Sequence, residues 1–402
     1  MKNNKKPEIR FLGYIEDWEQ RKLDSIVDRV KSYSLSRDVE TNEYTGYKYI
    51  HYGDIHTKVA DVIDESSNLP NIKVGNYELL EKGDLVLADA SEDYQGIATP
   101  AVITIDIPYK LVSGLHTIAL RPKQVDPLFL YYLINSPTFR KYGYKTGTGM
   151  KVFGISVTNL LKFEGMFPLL EEQTKIGKFL KQLDDTIVLH QQELTTLKQT
   201  KQGFLQKMFP KEGASMPEIR FPGFNGAWEQ HKLGQVVSIT MGQSPNGENY
   251  TENPNDHILV QGNADIKNGW VAPRVWTTQV TKSADKGDII LSVRAPVGDV
   301  GKTQYDVVLG RGVAGIKGNE FIFQSLSKMK SNGFWTKYST GSTFESINSN
   351  DLKEAIISVP GEVEQIKIGN FFKQLDDTIS LHQRELEALK ETKKAFLQKM
   401  FV

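Results

Sequence analysis

Cysteine is absent from the 402-residue chain, which removes disulfides, thiolate nucleophiles and cysteine-ligated zinc together. No run of about 18 apolar residues occurs, and the basic start MKNNKKPEIR has no apolar stretch behind it. The expectation is a soluble, cytoplasmic protein with no membrane partner. An excess of one charge is also missing, since 49 Lys plus Arg balance 49 Asp plus Glu. A neutral chain has no overall field drawing it to polyanions, although a local basic face can still contact phosphate. The seven histidines are scattered, with no His-Glu-x-x-His and no Ser-His-Asp pattern.

What the chain does have is repetition. Residues 172–209 (EQTKIGKFLKQLDDTIVLHQQELTTLKQTKQGFLQKMF) return as residues 364–401 (EQIKIGNFFKQLDDTISLHQRELEALKETKKAFLQKMF), with 28 of 38 positions identical at an offset of 192. A shorter echo precedes each: PEIRFLGYIEDWEQRKL at 7–23 returns as PEIRFPGFNGAWEQHKL at 217–233, with 11 of 17 identical at an offset of 210. The intervening segments, 24–171 and 234–363, share only short motifs. The organisation expected is therefore an N-terminal domain (1–171), a first helix (172–209), a linker (210–216), a second domain (217–363) and a second helix (364–402).

Both helical copies carry an apolar residue at alternating steps of four and three, the spacing of a heptad seam. The first seam is Ile176, Leu180, Leu183, Ile187, Leu194, Leu197, Phe204 and Met208, with His190 and Lys201 in its gaps. Its counterpart is Ile368, Phe372, Leu375, Ile379, Leu386, Leu389, Phe396 and Met400, with His382 and Lys393 in the gaps. Two such helices can pack together as an antiparallel coiled coil with pseudo-two-fold character, each about 50 Å long at ~1.5 Å per residue. His190, His382, Lys201 and Lys393 are either register markers or side chains reaching solvent at the seam's edge. The pairs Asp184-Asp185 and Asp376-Asp377 read as solvated helix surface, because neighbouring helical residues do not face one another.

The unlike segments are rich in short β-like runs: Asp84–Ala88, Ala101–Ile105, Asp288–Val293 and Asp306–Leu309. Helical stretches are fewer, the clearest being Pro127–Asn135 and Phe321–Met329. Each segment is thus predicted as a mixed α/β globule, and the whole as α+β. Lys82-Gly83-Asp84 aligns with Lys286-Gly287-Asp288, and a late loop KTGTGMKVFGI (145–155) aligns with KYSTGSTFESI (337–347). Glycine admits close backbone approach, and hydroxyls, amides and lysines suit a nucleic-acid backbone. On composition alone an ordinary surface turn fits better.

Enzyme-like patterns are weak. PVGDVGKT (296–303) nearly matches a phosphate loop through Lys302 and Thr303, but proline replaces the first glycine and the following sequence is β-like. DIPY (106–109) approaches the Asp-Pro-Pro-Tyr motif of adenine methyltransferases without a glycine-rich cofactor turn before it. A nucleotide-dependent DNA enzyme and a protein-protein adaptor are the competing readings.

The PEIRFxGF…WEQxKL opening and the EQxKIGxFxKQLDDTIxLHQxEL…LKxxKxxFLQKMF helices resemble the specificity subunit of type I restriction-modification systems, especially staphylococcal-type members, over essentially the whole chain. The resemblance implies a noncatalytic, double-stranded DNA-binding chain with two target-recognition domains, each reading one half of a bipartite site, in a system that modifies DNA and defends against foreign DNA. It implies docking of two modification subunits on the helices, carrying S-adenosylmethionine and the adenine-methylating chemistry, and restriction subunits adding ATP- and Mg-dependent translocation and cleavage. It assigns no cofactor, metal or catalytic residue to this chain. DNA-contacting residues are expected in the late loops, at Lys145, Thr146, Thr148 and Lys151 and at Lys337, Ser339, Thr340, Ser342 and Thr343, with Arg274, Arg294 and Arg311 as further candidates. A separation of at most about 50 Å implies half-sites within roughly 15 base pairs, at ~3.4 Å per base pair.

Overall fold

The computed structural model describes residues 6–149, 152–338 and 346–402, with backbone alone for 337 and 338. The chain divides into two compact units, one of Met1–His190 with Leu386–Val402 and one of Gln191–Glu385. Each unit therefore holds one globule, part of the first long helix and part of the second.

In the first unit, Leu85–Ala88 and Pro100–Ile103 are buried along their whole length, which is why they read as continuous apolar runs instead of alternating ones. They sit inside a five-stranded sheet ordered Val27–Val30, Thr117–Pro122, Leu85–Ala88, Pro100–Ile103, Val62–Ile63. A second, four-stranded sheet holds Lys110–Ser113, Tyr47–Ile50, Asn71–Ile72 and Glu40–Thr41. The second unit repeats the central antiparallel trio in a six-stranded sheet whose order begins Ser238–Met241, Val313–Lys317, Ile289–Ser292, Val300–Lys302. The shared Lys-Gly-Asp motif is the turn feeding that trio. Gly83 and Gly287 take φ of 93° and 97°, accessible at little cost only to glycine. Buried Asp84 accepts from Glu81 N at 2.8 Å and is held bidentately by Arg121 at 2.9 and 2.7 Å.

The helix Pro127–Asn135 forms as predicted, with Pro127 at its first turn and the Asp126 carboxylate accepting from Phe129 N at 2.9 Å. Its counterpart runs Glu320–Ser331, capped by Asn319. The two long helices run Leu170–Lys207 and Glu362–Lys399, so each starts and stops about two residues before the repeated block. Packing explains the early stop. Met208-Phe209 and Met400-Phe401 leave the helix to enter globular cores: Phe401 lies 5.3 Å from Phe129, and Phe209 stacks on Phe321 at 5.3 Å.

The two repeated blocks, spaced differently along the chain, meet in space. Arg10 grips the fully buried Glu172 carboxylate bidentately at 2.7 and 2.8 Å, and Arg220 grips Glu364 at 2.6 and 2.7 Å. Those carboxylates hold the guanidinium pKa values above the ordinary arginine range. Ile9 N donates to Lys399 O at 3.1 Å and Ile219 N to Lys207 O at 2.9 Å. The WEQ segments become strands Glu19–Lys22 and Glu229–Lys232, paired with Glu164–Phe167 and Ile356–Val359. Each opening motif thus clamps its globule to the start of one long helix and the end of the other.

Within each unit the long helices face each other antiparallel. In the first, Phe179 meets Phe396 at 4.9 Å and Asp184 meets Lys393 at 2.5 Å. In the second, Phe204 meets Phe371 at 5.1 Å and Lys201 meets Asp376 at 2.6 Å. As one residue number rises its partner's falls, and each contact recurs at the repeat offset with the roles exchanged. Every seam residue is buried or half-buried, His190 and His382 included, and His382 Nδ1 lies 3.7 Å from Glu193. Leu205, off the predicted seam, is also buried.

The seam lysines hold partners that are themselves tethered, Asp376 accepting from Gln324 and Asp184 from Tyr132, each at 2.8 Å. Lys201→Ala or Lys393→Ala therefore leaves one further hydrogen bond on each carboxylate and should cost about 1–3 kcal/mol. Thermal unfolding of the coexpressed complex measures this, and a change below about 0.5 kcal/mol would argue against a register role.

Candidate nucleic-acid interface

In the first unit the helix Pro137–Thr146 delivers the late loop. Thr146 is half-buried and donates to Tyr142 O at 2.9 Å, so its hydroxyl is committed to its own helix. Lys145 and Thr148 are exposed. Thr148 and Gly154 exchange backbone hydrogen bonds of 2.9 Å in both directions, pinching the loop's base. Gly149 has a φ of 135°, and any Cβ there would collide with Val152 O. Lys151 lies outside the described residues.

The loop returns against the central sheet. Phe153–Gly154 pairs with Ala90–Ser91, and Ile155 N donates to Asp89 O at 2.9 Å. Beside it the Tyr94 ring packs on Phe153 at 3.9 Å between centroids and edge-on to Tyr144 at 6.4 Å. Both tyrosines keep about two-fifths of their surface exposed, at 41% and 44%. The Arg140 guanidinium anchors the Tyr94 loop from beneath, donating to Ile97 O at 2.5 Å and Ala98 O at 3.2 Å; burial pulls its pKa down to about 10, so it stays charged at neutral pH. Next to this cluster His116 Nδ1 lies 3.1 Å from Asp89, and His56 Nε2 lies 2.8 Å from Ala90 O. Exposed aromatic faces beside lysines and an amide-rich turn suit bases and phosphates. Sequence reasoning missed Tyr94, Tyr144 and Phe153; the signal was an aromatic in each of two turn-rich segments, which only the fold brings together.

The second unit uses the same return. Ile347 N donates to Val293 O at 2.9 Å, and Arg294 bridges Ser346. Ser339, Thr340, Ser342 and Thr343 lie outside the described residues, and Lys337 is described in backbone only, within Phe334–Tyr338. Arg294 and Arg311 are exposed on this rim. Arg274 Nε donates at 2.8 Å to the buried Asp265, which also accepts from Gln261 N at 2.7 Å, so this arginine also supports a turn.

The enzyme-like motifs are structural. Lys302 ends the strand Val300–Lys302, bonds Glu320 at 2.6 Å and lies over the rings of Trp270 and Phe323; buried Thr303 donates to Tyr305 O at 2.7 Å. Asp106 of DIPY pairs with Lys82 in the open. The paired aspartates diverge, Asp184 toward Tyr132 and Lys393 and Asp185 toward Lys181. No helix among the described residues is long and apolar enough to cross a membrane.

Two unlike α+β units, each with a cation- or aromatic-lined rim and both built on one repeated helical frame, define a paired-reader protein. The family model for the type I restriction modification DNA specificity domain matches residues 15–199 and again 225–391. The chain belongs to that family: it is a type I specificity subunit, a noncatalytic component of a restriction-modification complex that recognises DNA. It is 28% identical over 412 residues to a putative type I restriction enzyme MjaX specificity subunit of Methanocaldococcus jannaschii, covering 98% of this chain and 95% of that protein. The MjaVIII specificity subunit of the same organism is 23% identical, with 97% and 93% covered. In fold the chain is similar to the crystal structure of the S subunit from M. genitalium, with a TM-score of 0.67, 15% identity and 99% of each chain covered. A chain from a study of assembly and conformational transition of the type I R-M system gives a TM-score of 0.56, 21% identity and coverage of 94% and 96%.

Proposed function

We propose that each unit reads a different half of one asymmetric, bipartite DNA site, and that the paired helices set the length of the unread spacer while docking two modification subunits. The observation that carries this reading is the division between repeated and unlike parts. The clamp, the helices and their contacts occur twice, whereas the rims differ: Tyr94, Tyr144 and His116 on one, Arg294 and Arg311 on the other. A repeated frame with different readers predicts two different half-sites. The modification subunits would supply S-adenosylmethionine and methylate adenine, restriction subunits would add ATP- and Mg-dependent cleavage, and the complex would act in the cytoplasm, where DNA and these partners meet. The late-loop residues Lys145, Thr148, Lys151, Lys337, Ser339, Thr340, Ser342 and Thr343 are assigned to DNA contact.

Docking has its own signature in the repeat. Of the ten positions that differ between the two copies, all but Leu180/Phe372 fall within about a third of the helix circumference, at ~100° per residue. On a separate stripe Lys175, Gln182 and Leu189 follow one another at heptad spacing, and Lys367, Gln374 and Leu381 repeat them; all six are exposed. Leu189 and Leu381 are 54% and 48% exposed, although neither serves the seam. Identity retained at exposed positions of both copies fits one protein bound twice. Coexpression with a tagged modification subunit tests this: Leu189→Asp with Leu381→Asp should reduce copurification at least tenfold while leaving thermal stability within about 0.5 kcal/mol, and either single variant should leave one subunit bound. Undiminished copurification would place docking elsewhere.

A further inference from the structure

We infer that Arg294 and Arg311 are the guanine-reading pair of the second unit, and that guanine at the positions they face is specified in that unit's half-site only. The inference deepens the bipartite reading above and rests on it.

The two arginines are neighbours on the rim. Val293 N donates to Gly312 O at 2.8 Å; Arg294 directly follows the donor and Arg311 directly precedes the acceptor. Arg311 stands on a turn with no side chain on either flank. Gly310 N donates to Val260 O at 2.7 Å, a Cβ on Gly312 would collide with Gln261 O, and a Cβ on Gly242 would collide with Gly310 O. Glycine is therefore required around the arginine, and the turn is wedged between two segments with one side chain projecting from it. Ser244 Oγ then accepts from Arg311 N at 3.1 Å and from Arg311 Nε at 3.4 Å. Neither Nη group of Arg311 is engaged by a described residue, and the side chain is exposed.

Charge supports the same assignment. Six arginines of this chain, at 10, 21, 37, 121, 220 and 274, pair with carboxylates. Among the described residues Arg294 and Arg311, like Arg29 and Arg140, have no acidic partner, and here two like charges lie side by side on one short stretch of rim. Folding gains nothing from that juxtaposition, whereas an incoming row of acceptors would offset it. In the major groove guanine alone presents two adjacent acceptors, N7 and O6, on one base edge, and a guanidinium fork meets both at once. Lysine, a point charge, cannot reproduce that geometry. The two matching positions of the first unit carry no guanidinium: Asp89 N donates to His116 O at 3.0 Å, and the flanking residues there are Ala90 and Leu115.

The test is methylated-adenine mapping in cells that coexpress the modification subunit with the full-length chain, unsubstituted or carrying Arg294→Ala, Arg311→Ala or Arg311→Lys. The expected result is that each alanine variant loses about 10- to 100-fold discrimination for guanine at one position of one half-site. The other half should be unchanged, and Arg311→Lys should be as relaxed as Arg311→Ala. An unchanged motif with methylation reduced evenly at all sites, and restored by Arg311→Lys, would identify a phosphate contact and overturn the inference. Loss of all methylation by the variants would overturn it too, by placing these residues in folding or assembly. Failure of the unsubstituted complex to give any bipartite motif would instead contradict the parent reading.

Discussion

Exchanging residues 24–163 for the corresponding segment of another specificity subunit is expected to give a complex that methylates a new site with one half altered and the other retained. The cut points follow from the structure. Strand Glu19–Lys22 pairs with Glu164–Phe167, and Arg10 with Glu172, so both boundaries fall inside the repeated clamp and not inside the reading globule. The graft must rebuild the core that the grafted Phe129, Phe139 and Phe163 share with the retained Leu23, Phe167, Ile176 and Leu180, all of them members of the first unit's main cluster. A donor with the same helix facing Gly177 should meet that demand. Gly177 packs so closely on Leu128 and Phe129 that a Cβ would lie 2.8 Å from Leu128 Cβ. Sequencing of methylated adenines reads the outcome. Change at both halves, or at neither, would mean that specificity is not divided between the units.

The second large effect is on stability. Arg10→Ala should destabilise the first unit by about 3–5 kcal/mol, because it strands the fully buried Glu172 carboxylate. Arg220→Ala should do the same to the second unit through Glu364. For units of this size such a loss lowers Tm by very roughly 6–20 °C. Replacing both partners, Arg10→Met with Glu172→Met, should recover most of it, since neither charge then remains buried. Calorimetry on the coexpressed complex, with hydrogen exchange to assign the affected unit, measures the difference. A cost below about 1 kcal/mol for Arg10→Ala would show that the clamp is wet and peripheral.

How much of this was legible in the sequence depended on where the cause of each feature lies. The seam was readable because a helix converts spacing directly into a face, and all its positions are buried or half-buried. Pro127–Asn135 was readable because both its cap and its first-turn proline are local. The clamp was invisible: Arg10 and Glu172 are separated by 162 positions, and their two blocks repeat at different offsets. Nothing in periodicity joins them. The rims were half legible. Glycine and hydroxyl residues marked the late segments as candidates, but Tyr94 meets Phe153 and Tyr144, and Arg311 meets Arg294, only when the fold brings them together. Arg274, chosen for its charge alone, supports Asp265, a role that depends on a tertiary turn.

One repeated frame carrying two different readers of DNA has a direct consequence for the methylated sequence. Genome-wide sequencing of methylated adenines in a methylation-free host, with this chain and its modification subunit coexpressed, tests it most directly. The expected result is a single asymmetric motif of two short, unlike halves around an unread spacer of constant length, within roughly 15 base pairs of each other. A continuous motif, a palindrome, or methylation that persists when this chain is omitted would contradict it.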